Sequence, residues 1–134
     1  MRQSILILAL SIAAMGCAGA KGASTAEIAK GRNVAATGAL LYERNCQHCH
    51  GENGEGGDKA PAVLGRSTLQ KSSFTTAQDL FVFLADKMPA DSPGSLDIGQ
   101  YWNIVTFMVA TMNKKIPDNR LSESNAEDVR IRKK

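Results

Sequence analysis

Residues 46 to 50 read CQHCH, which puts two cysteine thiols within one helical turn and a histidine directly after the second thiol. Both histidines of the chain, His48 and His50, lie in this stretch, and the other cysteine, Cys17, stands near the N-terminus. The spacing C-x-x-C-H is used for the covalent attachment of a c-type haem. Each thiol can add across a haem vinyl group, and the imidazole that follows then falls under the ring, where it can ligate the iron.

Two other uses of Cys46 and Cys49 stay open on this motif alone. A redox dithiol usually lies in a strand–helix–strand context, which the flanking sequence does not show, and it gives His50 no role. A tetrahedral zinc site needs a second pair of ligands, and no cysteine or histidine follows His50. The motif therefore favours haem c, attached through two thioethers at Cys46 and Cys49, with His50 as one axial ligand.

The size of the chain makes such a cofactor useful to the fold. A chain of 134 residues has room for one small domain, which is only marginally stable on apolar burial alone. Aromatic residues make up 5% of the sequence, and the large apolar face of a haem would complete the core. We therefore predict one domain built around one haem.

Residues 1–20 have the pattern of a secretory signal peptide. One early charge, Arg2, is followed by an apolar run over residues 5–15 and by small residues that end at Ala20. The run is too short to span a bilayer, and cleavage after Ala20 fits the small residues. Cys17 also stands in an imperfect lipoprotein site, where acyl chains would tether the protein to a membrane. We predict export to the periplasm or another extracytoplasmic space, soluble after cleavage, with a lipid anchor at Cys17 as the alternative.

The positive charge of the chain is concentrated near its C-terminus. Residues 21–112 carry eight Lys and Arg against nine Asp and Glu, whereas residues 113–134 carry seven against four. The basic isoelectric point therefore gives no argument for a nucleic-acid partner. We predict an N-terminal linker over residues 21–33 and a charged flexible tail over residues 114–134.

The rest of the chain reads as helices and loops, with no alternating pattern long enough for a sheet. Apolar periodicity predicts a short helix over about 37–46, and the glycine-rich stretch 51–65 must be a loop. A second helix opens with a capping pattern at residues 75–78 and ends near Met88. The last helix, from Asp97 to Met112, has a broad apolar stripe. The predicted fold is all-α, with three to four helices around one covalently bound haem.

The second axial ligand can be argued by elimination. His48 is two residues from His50 and tied to the same side of the ring, so methionine is the remaining common partner in electron-carrying cytochromes. Met108 and Met112 lie on the apolar stripe of the last helix, where packing explains them. Met88 stands at a helix end before a proline, where its thioether can point inward at a fixed place. We predict Met88 as this ligand.

In combination these motifs resemble those of class I c-type cytochromes, which are small, monohaem and His/Met-ligated. The resemblance covers about residues 34–113, which we predict as the cytochrome c domain. The family places a glycine eight residues and an aromatic residue four residues before the first haem cysteine, here Gly38 and Tyr42. The resemblance implies that this face packs across the last helix at Ile104 and Phe107.

Two further stretches resemble parts of the same family. Pro61 is similar to the proline whose carbonyl accepts a hydrogen bond from the axial histidine, which implies a contact with His50 that orients the imidazole. Residues 88–96 resemble cytochrome modules that accept electrons from exported quinoprotein dehydrogenases. The resemblance thus implies redox proteins as partners.

The function implied is one-electron transfer by a protein that is not itself an enzyme, because two protein ligands leave the iron no open site for substrate. The donor would be a dehydrogenase, such as a quinoprotein dehydrogenase, and the acceptor a terminal oxidase or another cytochrome. Two alternatives stay open. One is a haem-based binder of small gases, or a weak peroxidase, with a displaceable Met88. The other is a haem-bearing subunit held tightly in a larger dehydrogenase or oxidase.

Overall fold

The structure is a computed structural model that describes residues 22–132. The predicted signal peptide with Cys17, Lys21 and the last two residues lie outside this range. The described part is helical, with one isolated antiparallel bridge between Thr76 and Arg130, so the predicted all-α fold is confirmed. Its helices are α1 (Thr25–Val34), α2 (Ala36–Asn45), α3 (Gln47–His50), α4 (Arg66–Leu69), α5 (Ala77–Lys87) and α6 (Ile98–Thr111), followed by 3-10 turns at Pro117–Asn119 and Ala126–Asp128.

Helix α1 lies where the sequence predicts a linker over residues 21–33. Its start is set by a capping box, in which the Ser24 hydroxyl accepts the N–H of Glu27 at 3.3 Å and the Glu27 carboxylate accepts the N–H of Ser24 at 2.8 Å. The helix buries only Ile28 and Gly31, and Gly31 lies directly against α6. So narrow a buried face produces little apolar periodicity, although the Ser-x-x-Glu pattern does mark the start.

The predicted packing of the Gly38 face across the last helix is present between α2 and α6. A side chain at Gly38 would collide with the backbone carbonyl of Asn103 and crowd Phe107. One turn further along α2, the ring of Tyr42 lies 5.7 Å from the ring of Phe107, at an angle of 50°. The glycine thus lets the two helices approach closely. Ile104, the other residue expected at this contact, lines the adjacent cavity.

Helices α5 and α6 begin at side-chain caps. The cap of α5 is one residue later than predicted, because Thr76 pairs with Asp79 and the Asp79 carboxylate accepts the N–H groups of Thr75 and Thr76 at 2.9 and 3.0 Å. These hydrogen bonds lower the pKa of Asp79. The predicted start of α6 is confirmed, with the Gln100 side-chain oxygen accepting the N–H of Asp97 at 2.9 Å.

The C-terminal segment, predicted as a charged flexible tail over residues 114–134, instead packs on the helices as far as the structure describes it. The N–H of Ile131 donates to the carbonyl of Thr75, and the N–H of Ala77 to the carbonyl of Val129, both at 2.9 Å. The charged residues of the last turn and strand-like end, among them Asp128 and Arg130, are exposed. For this reason the composition of the segment indicates a solvated tail. The buried apolar side chains of the segment are Ile116, Leu121, Ala126, Val129 and Ile131.

Within residues 22–132, no helix combines the length and the apolar character needed to cross a lipid bilayer.

Candidate functional site

The five predicted site residues line one cavity of about 820 Å³: Cys46, Cys49, His50, Pro61 and Met88. Ligand pockets in proteins generally have volumes of about 300–1,000 Å³. The cavity lies between the α3 turn, the loop around Pro61, the end of α5 and the first turns of α6. The fold therefore brings together, from distant parts of the chain, the residues that the sequence motifs predict.

The α3 turn presents both thiols to this cavity. The N–H groups of Cys49 and His50 bond to the carbonyl of Cys46 at 3.2 and 2.9 Å, which closes a single helical turn. Gly51 ends the turn with a φ of 85°, a value that glycine adopts without strain. Burial, and then the neighbouring Cys49, raise the pKa of the Cys46 thiol to about 11. A thiol that stays protonated at neutral pH is a poor nucleophile, which argues against Cys46 and Cys49 as a redox pair.

His50 makes the contact that the sequence predicts. Its Nδ1 atom lies 2.8 Å from the carbonyl oxygen of Pro61, and because a carbonyl can only accept, Nδ1 must carry the proton. The lone pair of Nε2 is then free for a metal, in the tautomer that an axial ligand requires. His50 as a whole is 9% exposed.

A hydrogen bond from Tyr42 holds the chain just after the histidine. The Tyr42 hydroxyl donates to the carbonyl of Gly51 at 2.9 Å. Burial raises the pKa of this phenol, and the nearby Cys46 and Glu55 add to the effect, so it stays a donor at neutral pH. The family spacing identifies Tyr42 as a packing residue; the carbonyl it bonds to becomes visible only in the folded chain.

Met88 follows the last residue of α5 in an extended conformation, with φ −127° and ψ 150°. Its N–H bonds to the carbonyl of Leu84 at 2.9 Å, and its own carbonyl accepts the hydroxyl of Tyr101 at 2.6 Å. Met108 lines the same cavity, whereas Met112 is fully buried in the core. Two methionines therefore stand at the cavity, and Met88 as the iron ligand stays a prediction.

The walls of the cavity are mainly apolar. Leu80 and Leu84 of α5 face Ile104 of α6, and the rings of Phe74 and Phe83 pack together 5.2 Å apart. The charged side chains that line the cavity are exposed at its rim: Lys59, Lys71 and Asp91.

These features fit a covalently bound haem. The cavity offers two thiols on one turn, an imidazole with a free Nε2 and a thioether, within walls that can cover an apolar porphyrin. Residues 22–132 contain no group of three or more His, Cys, Asp and Glu side chains that could hold a metal ion by themselves. The four-ligand zinc alternative thus finds no ligand set in this part of the chain.

The comparison with protein families decides the assignment. Residues 33–108 match the family described as "Cytochrome C oxidase, cbb3-type, subunit III". The chain belongs to this family of c-type cytochromes. It is accordingly an electron-transfer haem protein that binds haem c covalently, and the expectation drawn from CQHCH is confirmed.

The chain is similar to one curated protein in sequence and to one solved structure in fold. The chain is 25% identical over 103 residues to the thiosulfate dehydrogenase of Stutzerimonas stutzeri (strain A1501), an alignment that covers 72% of this chain and 33% of the relative. It also superimposes on the sulfane dehydrogenase SoxCD from Paracoccus pantotrophus, with a TM-score of 0.60 and 22% identity, over 75% of this chain and 57% of that one. The chain thus spans one third of the first relative and little more than half of the second.

Proposed function

We propose that this chain is an exported carrier that moves single electrons between a dehydrogenase-type donor and an oxidase-type acceptor, without binding a substrate at the iron. The observation that carries the proposal is the placement of two protein donors at one apolar cavity, His50 with a free Nε2 and Met88 at the end of α5. When bound, the haem supplies a one-electron couple, and histidine and methionine ligands raise its potential.

The histidine side is prepared by the chain itself. The Pro61 carbonyl fixes the ring orientation of His50 and makes the imidazole a stronger electron donor toward a metal. Cys46 and Cys49 stand on the same helical turn as His50 and supply the covalent attachment. Because these contacts are local to one loop and one turn, this side should change little between oxidation states, which favours fast electron transfer.

The methionine side is supported by backbone geometry. Both backbone polar groups of Met88 are hydrogen-bonded, the N–H to Leu84 and the carbonyl to Tyr101. Its extended conformation releases the side chain from the α5 face, whereas Met108 must follow the face of α6. These contacts favour Met88 over Met108 as the second ligand.

The optical spectrum of the ferric protein tests this assignment. A weak charge-transfer band near the red end of the spectrum reports a bound thioether, and we expect it in the wild type and in Met108→Ala but not in Met88→Ala. If the band is lost in Met108→Ala and kept in Met88→Ala, the ligand is Met108. If the wild type has no such band, the iron is open and the gas-binding alternative replaces the carrier.

The similarity to a thiosulfate dehydrogenase supports a second candidate, in which the chain takes part in oxidation of a sulfur compound. We propose a carrier rather than an enzyme because the charged groups that line the cavity, Lys59, Lys71 and Asp91, stand exposed at its rim rather than inside it. The purified holoprotein mixed with thiosulfate and ferricyanide should show no turnover. Sustained reduction of ferricyanide would make the chain a catalyst.

The electron donor can be identified by copurification from the native source. The resemblance of residues 88–96 supports a quinoprotein dehydrogenase, and the similarity to the thiosulfate dehydrogenase supports an enzyme that oxidises a reduced sulfur compound. Either enzyme should reduce the ferric protein in the presence of its own substrate. A stable stoichiometric complex that survives high salt would instead identify the chain as a subunit.

Export is proposed from the N-terminal sequence, with Lys21 as the first residue of a protein in the periplasm or another extracytoplasmic space. The mass of the protein isolated from the native host checks this. A mass that starts at Lys21 supports a soluble carrier. A mass that starts at an acylated Cys17 would make it a membrane-tethered carrier, and an uncleaved chain would contradict export.

A further inference from the structure

The shorter of the two hydrogen bonds to the Met88 backbone comes from a residue that the sequence marks only as part of an apolar stripe. The Tyr101 hydroxyl donates to the Met88 carbonyl at 2.6 Å. Tyr101 is 3% exposed and lines the cavity, in the first turn of α6. Its phenol therefore bridges a buried helix and the residue proposed as the second iron ligand.

The Met88 carbonyl depends on this phenol. Helix α5 ends at Lys87, and the carbonyls of a helix end have no partner within the helix. Met88 is half-buried, and a carbonyl that is partly withdrawn from water loses hydrogen-bond energy when it has no partner, so without the phenol this oxygen would turn toward water. Among the contacts of the described residues, the Tyr101 hydroxyl is the one that satisfies this oxygen.

Helix α6 provides a fixed base for the phenol. The N–H of Tyr101 bonds to the carbonyl of Asp97 at 3.1 Å, and the following turns of α6 are buried against α1 and α2. Position 88 is thus tied to the most buried helix of the fold through one short hydrogen bond. A donor whose backbone is already fixed loses little conformational entropy when it binds.

We infer that Tyr101 is a positioning residue for the second axial ligand: its hydroxyl holds the Met88 backbone so that the thioether keeps its place against competing ligands. The inference rests on the proposed role of Met88. It assigns no contact between Tyr101 and the iron. Removal of the hydroxyl should leave haem attachment through Cys46 and Cys49 intact and weaken the hold of the methionine.

The other tyrosine of the chain makes a parallel contact with a different expected consequence. Tyr42 donates to the Gly51 carbonyl at 2.9 Å, on the histidine side of the cavity. There the turn is also closed by the backbone bonds to Cys46 and would be anchored by two thioethers. Met88 has no neighbouring thioether that would hold its backbone in addition to the tyrosine. The hydroxyl of Tyr101 should therefore affect ligand exchange more than the hydroxyl of Tyr42.

Equilibrium binding of imidazole to the ferric holoprotein tests the inference. Imidazole competes for the position of the second ligand, and Tyr101→Phe should bind it about two- to thirteenfold more tightly than the wild type, the range expected for the net contribution of one lost hydrogen bond. The red charge-transfer band should weaken in parallel. Thr106→Val is the matched control, because it removes a buried hydroxyl of the same helix, bonded to Trp102 and Leu121, away from the cavity. It should change imidazole affinity less than about twofold.

Tyr101→Phe in the Met88→Ala variant tests whether the hydroxyl acts through the Met88 thioether or loosens the cavity as a whole. With no thioether to hold, Tyr101→Phe should add nothing to the imidazole affinity of Met88→Ala. If it adds the same increase there, the hydroxyl acts on the cavity as a whole and the inference is wrong. If Met88→Ala binds imidazole like the wild type, the proposed role of Met88 fails instead. If Met88→Ala binds more tightly and Tyr101→Phe does not, only the inference fails.

A second variant covers the case in which Tyr101→Phe does not mature. Gln100→Ala removes the side-chain oxygen that accepts the Asp97 N–H. The change loosens the first turn of α6, which holds Tyr101, and keeps the tyrosine hydroxyl itself. It should tighten imidazole binding in the same direction and to a smaller extent. If the variant that matures binds imidazole with the affinity of the wild type, the inference is wrong.

Discussion

Cys46, Cys49 and His50 act together because one helical turn carries all three side chains to the same cavity wall. The spacing of this motif can be read from the sequence because porphyrin geometry leaves few other arrangements. The Pro61 contact, which spans eleven residues, is implied by the resemblance to class I cytochromes rather than by the motif itself. The Tyr101 contact could not be predicted, since an apolar stripe predicts burial and says nothing about where a phenol oxygen finds its acceptor.

At this scale we predict that replacing both Cys46 and Cys49 with alanine reduces mature holoprotein to roughly a tenth or less, because the small domain depends on the cofactor to complete its core. The haem content of the purified protein, measured by absorbance, checks this. Gln47→Ala, within the same motif, is the control and should mature normally. Accumulation of the double variant as a compact, haem-free domain would show that the fold does not need the attachment.

At the scale of elements, the close contact between α2 and α6 supports one wall of the site. Gly38→Ala should lower the free energy of unfolding by about 1–3 kcal/mol, because the added methyl collides with the Asn103 backbone. Gly99→Ala, with open space around it in α6, should instead raise it by about 0.5–1 kcal/mol. Denaturant unfolding of both holoproteins measures the difference. Equal effects would show that the two helices separate easily.

The helices also differ in how well a sequence pattern predicts them. Helices α2, α5 and α6 follow the apolar periodicity, because each buries a broad face against the cavity or a neighbour. Helix α1 buries only Ile28 and Gly31, and so weak a pattern reads as a linker. The C-terminal segment buries its apolar residues at irregular intervals, with no helical or strand period for a sequence pattern to reveal.

For the whole molecule, the C-terminal segment joins the start of α5 to the rest of the core. Ile131 is fully buried, and its N–H bonds to the Thr75 carbonyl beside the α5 cap. Ile131→Ala should therefore cost about 2–5 kcal/mol of unfolding free energy. Its exposed neighbour Arg132→Ala should stay within about 0.5 kcal/mol of the wild type. A loss below about 0.5 kcal/mol for Ile131→Ala would support the flexible tail that composition predicts.

We propose for the whole molecule that two protein side chains, His50 and Met88, close the iron, so that the protein carries electrons and binds no substrate there. Carbon monoxide binding to the reduced holoprotein at neutral pH tests this most directly. The wild type and Met108→Ala should bind it poorly, whereas Met88→Ala should bind it readily with its haem still attached. Binding by the wild type as readily as by Met88→Ala would contradict the claim and assign the chain to the small-ligand binders.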